Sequence, residues 1–257
     1  QISQEFRNSR AKLLESAKAQ FFVSYRNWQN AQMQLAQAIP NARIVNNPLK
    51  IEEEEPIPYP KSIIPTLATV ARFQTYIKGQ DLLLQALAEP EFKDQDFRLN
   101  FYGQGDDKEH LQRLIIFYGL EKKVSINNHV EDVRDIWRKN QLLVLTSRAE
   151  GTPLSLLEAM ACGRAALVTN VGDSAYWVGK SGFVSQHNSV AALKKAIIHC
   201  FEEFKNWETL GRESHKIVHQ NLNRRQAFDL MQCLAGAIGW KEVGKSPKVY
   251  LEELSPS

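Results

Sequence analysis

From position 61 onward, short strand-like stretches alternate with stretches in which apolar residues recur every three or four positions. Candidate strands are 64–70, 98–102, 124–126, 142–146, 165–169 and 182–184, and within them 142–145 is an unbroken apolar run of the kind expected for a strand covered on both faces. Helical patterns fall between them at 79–89, 108–118, 133–139, 153–162 and 174–178. Strands separated by helices predict βαβ crossovers, and therefore an α/β fold with a doubly wound parallel sheet and flanking helices. Two amphipathic helices, 193–204 and 207–218, follow; a third, 224–238, is ended by Gly239, with a loosely held tail from Lys241.

The start of the chain reads differently. A polar helix at 5–18, a strand at 21–24, a helix at 28–38 stopped by Pro40 and a strand at 42–45 are too few elements to bury a core of their own. They are expected to be the end of something larger, and a chain starting at Gln1 rather than methionine is expected to have lost sequence upstream. Residues 46–60 carry four prolines and four consecutive glutamates, the composition of an extended, charged connector or an acidic surface loop.

Composition adds limits. With 43% apolar and 24% charged residues the chain is an ordinary globular one, and a net charge of +3 argues for neither nucleic acid nor a membrane surface. Cys162, Cys200 and Cys233 are odd in number and far apart, which reads as buried thiols in a reducing compartment. No apolar run has the length of a membrane span, and no signal-peptide core is present.

Candidate chemistry centres on residues 142–163. A buried strand feeds a polar loop, and Thr152 is placed to cap a helix with Pro153 at its first position. In that helix Ser155 and Glu158 are the only polar residues, and Glu158 shares a stripe with Leu154, Leu157 and Ala161. Its carboxylate is thus expected to be at least half buried and to need a partner, either Arg164 or Arg148 in an ion pair or the hydroxyls of a ligand. Glu150 stands just before the helix, as a solvated loop residue or a ligand contact. The N–H groups of residues 152–155 would form an anion site beyond the strand's carboxyl end. Arg72 directly follows the first strand, and Lys78 stands at the threshold of the next helix, where a cation is disfavoured by up to about 1 kcal/mol. They are two surface cations, or a clamp for an anion held between them.

Glu150 and Glu158 enclose seven residues, and Glu-Gly-Thr-Pro-Leu-Ser-Leu-Leu-Glu-Ala-Met-Ala-Cys-Gly resembles the E-x7-E signature of retaining nucleotide-sugar glycosyltransferases of family 4. That resemblance implies the two-domain GT-B fold, with residues 61–221 as its Rossmann-like donor-binding domain. Residues 1–47 would be a remnant of the amino-terminal acceptor domain, since Phe-Phe-Val-Ser, a helix and Arg-Ile-Val-Asn-Asn-Pro are similar to that domain's last β-α-β. Residues 48–60 would be the interdomain linker and 222–257 a crossing helix and tail. The resemblance also implies roles. Glu158 would hold ribose hydroxyls and Glu150 those of the transferred sugar. Val-Ala-Arg-Phe and Lys-Gly-Gln-Asp-Leu-Leu-Leu place Arg72, Lys78 and Gly79 on the diphosphate, with Gly151, Thr152, Pro153 and Leu154 at the helix start beside it. Gly103 would line the donor cleft, His129 and Val130 the base, and Asn170, Gly172 and Asp173 the loop under the sugar, although His129 stands where the family often has glycine.

The expected reaction is transfer, with retention, from a UDP- or GDP-sugar to a hydroxyl of a sugar or lipid-linked acceptor, in polysaccharide or glycolipid synthesis. No cofactor or metal is expected: Asp94-Gln-Asp96 precedes a strand inside a polar loop, and Asp106 and Asp107 read as helix-start residues. The Gly-x-Gly at Gly103 lacks the third glycine of a dinucleotide fingerprint, which argues against an NAD enzyme. The expected setting is cytoplasmic, without nucleic acid, and any peripheral membrane contact is expected to run through the missing upstream domain. Without that domain the chain is expected to turn over slowly or not at all. A nucleotide-sugar-binding module completed by a separate chain, or an epimerase of the same architecture, are the rival readings.

Overall fold

The computed structural model describes residues 4–40, 42–49, 51, 55–223 and 225–237. The chain divides into two units, one formed by Gln1–Pro48 with Asn223–Ser257 and the other by Leu49–Leu222. In the first, α1 (Gln4–Ser16) leads to β1 (Gln20–Phe22), α2 (Tyr25–Leu35) and β2 (Ala42–Ile44), and the two strands pair in parallel with Phe21 opposite Arg43. Helix α2 starts three residues earlier than expected because the Ser24 hydroxyl accepts a bond from the Asn27 N–H, 3.0 Å away.

The second unit holds β3 (Thr66–Val70), α3 (Thr75–Lys78), α4 (Gln80–Leu87), β4 (Arg98–Tyr102), α5 (Lys108–Phe117), β5 (Val124–Asn127) and α6 (Val133–Trp137). It continues with β6 (Leu142–Leu145), α7 (Leu154–Ala161), β7 (Ala165–Thr169), α8 (Ser174–Val178), β8 (Phe183–Ser185), α9 (Val190–Glu202) and α10 (Trp207–Asn221). The last described helix, α11 (Gln226–Ala237), belongs to the first unit. There the Arg43 guanidinium donates to Cys233 Sγ at 2.9 Å; Cys233 is only half buried, whereas Cys162 and Cys200 are buried as expected. Arg224, residues 238–257 and Glu52 to Glu54 lie outside the described residues, so the expected ends of the last helix, its tail and most of the glutamate run fall there.

The sheet of the second unit is a Rossmann-like parallel one, ordered β5-β4-β3-β6-β7-β8. Alternate residues of each strand enter two separate cores. Leu67, Leu99, Leu142, Val144 and Leu167 face α4, α5 and α9. Ala68, Leu143, Leu145, Ala166 and Val168 face α6, α7, α8 and α10. Both faces of the central strand β6 are covered and all four of its residues are buried, which is why 142–145 is apolar without interruption.

At the amino edge of this sheet, residues 56–60 are tied down. Arg164, 0% exposed, donates to the carbonyls of Trp137 (2.6 Å), Cys162 (2.9 Å), Ile57 (3.3 Å) and Pro58 (2.7 Å) and lies over the Tyr59 ring. Burial lowers its pKa to about 10, so it stays charged at neutral pH. It is therefore not the partner of Glu158, whose expected half-burial the structure does show.

Candidate functional site

In a parallel sheet every strand points its carboxyl end the same way, so the loops after β3, β4, β5, β6 and β7 emerge along one edge. The chain runs outward from β3 to β4 and β5, then returns to β6 and continues to β7 and β8, which puts the topological switch point between β3 and β6. The loops after these two strands carry most of the candidate residues.

Gly79 joins α3 to α4 with φ +64°, a left-handed conformation, and a Cβ there would stand 2.0 Å from Thr146 O. Only glycine permits that approach. The Thr146 hydroxyl donates to Gly79 O at 2.7 Å, fixing the loop after β3 against the end of β6. Beside this seam Lys78 Nζ lies 2.7 Å from Glu150 Oε1, and the Ser147 hydroxyl donates to the same oxygen at 2.7 Å. The two side chains are 22% and 11% exposed, so the pair is largely shielded and spans the switch point. Arg72 is exposed and makes no ion pair among the described residues; its carbonyl accepts from the Nε2 of buried Gln80 at 2.7 Å. Arg148 grips Asp81 through two bonds of 2.8 and 2.9 Å, which raise its pKa, so it does not serve Glu158 either.

The helix start differs from expectation. Pro153 occupies the N-cap position of α7 with an extended backbone (φ −67°, ψ 121°), one residue beyond Thr152. The Thr152 hydroxyl turns instead to Asp173 Oδ2 at 3.4 Å. The cause is the loop after β7: Gly172, at φ +53°, brings its backbone against Gly151, and the Asp173 N–H donates to Gly151 O at 2.9 Å. Thr152 and Pro153 are buried. The N–H groups of Leu154 and Ser155 find no acceptor among the described residues and open toward the carboxyl edge.

Lys78, Gly79, Glu150, Gly151, Thr152, Pro153 and Leu154 thus come together on adjacent loops, with half-buried Glu158 one turn further along α7. Asn170 is bound to Gln186 at 3.0 Å, on the side of β8. Gly103 follows β4, packed against Ala71 O. Exposed His129 and half-buried Val130 follow β5, the edge strand two places out from β3. Asp94 and Asp96 precede β4 and lie at the opposite, amino edge. Sequence reasoning missed Ser147 and the partner of Asp107: the latter is a helix-start residue as expected, at the N-cap of α5, and its carboxylate accepts from the N–H and hydroxyl of Thr75. Charged and hydroxyl residues placed immediately after a buried strand were the available signal.

The profile of the family described as "Glycosyl transferases group 1" matches residues 64–203, more than half of the chain, and the chain belongs to that family. Its fold is that of GT-B glycosyltransferases. It is 28% identical over 181 residues to an uncharacterized glycosyltransferase, MJ1178, of Methanocaldococcus jannaschii, a match that covers 69% of this chain and 45% of the relative, so the matched stretch is less than half of that relative's length. Sucrose-phosphate synthase from Thermosynechococcus elongatus superposes with a TM-score of 0.77 at 20% identity, over 93% of this chain and 63% of that one. HepE from Anabaena, solved in complex with UDP, superposes with a TM-score of 0.71 at 19% identity, over 90% and 68% of the two chains.

Proposed function

We propose that this chain is the donor half of a retaining family 4 glycosyltransferase of the E-x7-E type, using a UDP- or GDP-sugar. The observation that carries the reading is the shielded Lys78–Glu150 pair at the switch point, with exposed Arg72 on the same loop as Lys78 and the unbonded N–H groups of Leu154 and Ser155 on the same loop and helix start as Glu150. A diphosphate there would meet two cations and a helix start, and its arrival would free Glu150 for the sugar. Glu158 would take the ribose hydroxyls. The UDP complex of the structurally similar HepE supports a uridine or related nucleotide.

In this reading the leaving diphosphate is stabilised by Arg72, Lys78 and the α7 N–H groups without a metal, each contributing a few kcal/mol in a closed site. Carboxylates beside the oxocarbenium-like transition state add electrostatic stabilisation. The acceptor, a sugar or lipid-linked hydroxyl, would be presented by an acceptor domain, and transfer by these residues alone would be slow or absent. Free thiols at all three cysteines support a cytoplasmic setting. Among the described residues no helix is long and apolar enough to cross a membrane.

Calorimetric titration with UDP, GDP and ADP tests the proposal. Saturable binding of one diphosphate is expected, weakened about 10-fold or more by Lys78→Ala and by Glu158→Ala. Absence of saturable binding to all three would overturn it.

A further inference from the structure

Residues 72–79 are held from two sides by groups with no part in the contacts assigned above. On one side is the loop after β4. Gly103 and Gly105 have φ values of +151° and +155°, and a Cβ on them would stand 2.1 Å from Ala71 O and 2.4 Å from Phe73 O, so the two loops touch backbone to backbone. The Phe73 N–H donates to Gln104 O (3.0 Å), and the Asp107 N–H donates to Phe73 O (3.2 Å). Asp107 Oδ2 then accepts from both the N–H (2.6 Å) and the hydroxyl (2.8 Å) of Thr75. On the other side is Arg148. Its N–H donates to Ile77 O (2.8 Å), and its guanidinium donates to Thr75 O (2.7 Å) while chelating Asp81.

Thr75 is thus gripped at its N–H, hydroxyl and carbonyl by two charged side chains from different loops. Helix α3, of four residues, is too short to hold its own shape. Asp107 makes no side-chain bond to its own helix, so its carboxylate acts only across the gap. The Thr75 bonds hold that carboxyl below the usual carboxylate range, as expected when hydrogen bonds favour the charged form.

We propose that Asp107 and Arg148 are positioning residues for donor binding, which fix Thr75 and through it present Arg72 and Lys78 at the switch point before any ligand arrives. The inference rests on the donor-site reading above and deepens it. A preordered pair of cations is not ordered at the ligand's expense, so loss of either strut weakens diphosphate binding although neither touches the ligand.

The test uses Asp107→Ala, Asp107→Asn and Arg148→Gln, with amide hydrogen exchange on the ligand-free chain and calorimetry with UDP or, where the chain prefers it, GDP. In Asp107→Ala the amides of residues 75–78 should exchange about 10-fold faster or more, and the diphosphate Kd should rise about 10-fold. Asp107→Asn keeps an acceptor oxygen and should restore most of both. In an Arg72→Ala/Lys78→Ala background the Asp107→Ala effect on Kd should vanish, which a general loss of stability would not produce. Unchanged exchange at 75–78, or faster exchange with unchanged Kd, would overturn the inference. Wild-type chain that binds no diphosphate would instead defeat the donor-site reading, and the inference with it.

Discussion

Replacing Gly79 with alanine tests how closely the two central loops are joined. The residue is both the C-cap of α3 and the start of α4, at φ +64° and ψ 22°. A left-handed conformation costs a non-glycine residue about 1–2 kcal/mol. Steric conflict adds to this, because the new Cβ would lie 2.0 Å from the Thr146 carbonyl oxygen, where at least 3.0 Å is needed. Since the clash is with backbone at the end of β6, the loops must part by about 1 Å, at an overpacking cost of about 1–3 kcal/mol. The sum is about 2–5 kcal/mol, a large share of a typical domain's 5–15 kcal/mol. Gly119 supplies the control, because its φ is +65° but nothing lies within 4 Å of a Cβ there. Urea unfolding of Gly79→Ala and Gly119→Ala at unchanged m separates the two costs, the control losing only the conformational part. Parting the loops also moves Lys78 away from the start of α7, so that one diphosphate no longer reaches both, and its affinity should fall in Gly79→Ala alone. Equal stability losses at the two glycines would refute the reasoning.

Two further outcomes are expected. Arg164→Met should destabilise the second unit by about 3–5 kcal/mol, because it leaves buried carbonyls of Trp137, Cys162 and Ile57 without donors; a change in urea midpoint below about 1 kcal/mol would contradict that role. For Asp107 the folded pKa is depressed, so its contribution is present above the unfolded value of about 3.9 and is lost as pH falls through the lower, folded value. Carboxyl NMR should therefore find its midpoint below about 3.9 in the wild type and higher in Thr75→Val, which lacks the hydroxyl donor.

The central strands were legible because burial on both faces leaves one-letter evidence: 142–145 and 165–169 are wholly buried and almost wholly apolar. Lys78 was legible as a candidate because a cation at a helix threshold breaks a local rule, whereas Glu150 and Gly79 stood out through the resemblance of the stretches that carry them. What could not be read were partnerships set by the sheet order. Lys78 meets Glu150 only because β6 inserts beside β3, and Asp107 reaches Thr75 only because β4 lies on the other side. The misplaced cap has the same origin. Thr152 has the chemistry to cap α7, but Gly172 lets the neighbouring loop approach so closely that Asp173 takes its hydroxyl. Arg164 looked like a partner for Glu158 by proximity in sequence; the carbonyls converging at the amino edge of the sheet claim it instead.

The central claim is that a nucleoside diphosphate binds at the carboxyl edge of the second unit. Amide chemical-shift mapping during a titration with UDP and GDP addresses it most directly. The account predicts saturable shifts in residues 71–79, 103–107 and 150–155, with the amino edge around residues 56–60 and 164 unmoved. Shifts concentrated at that amino edge or in the first unit would contradict it.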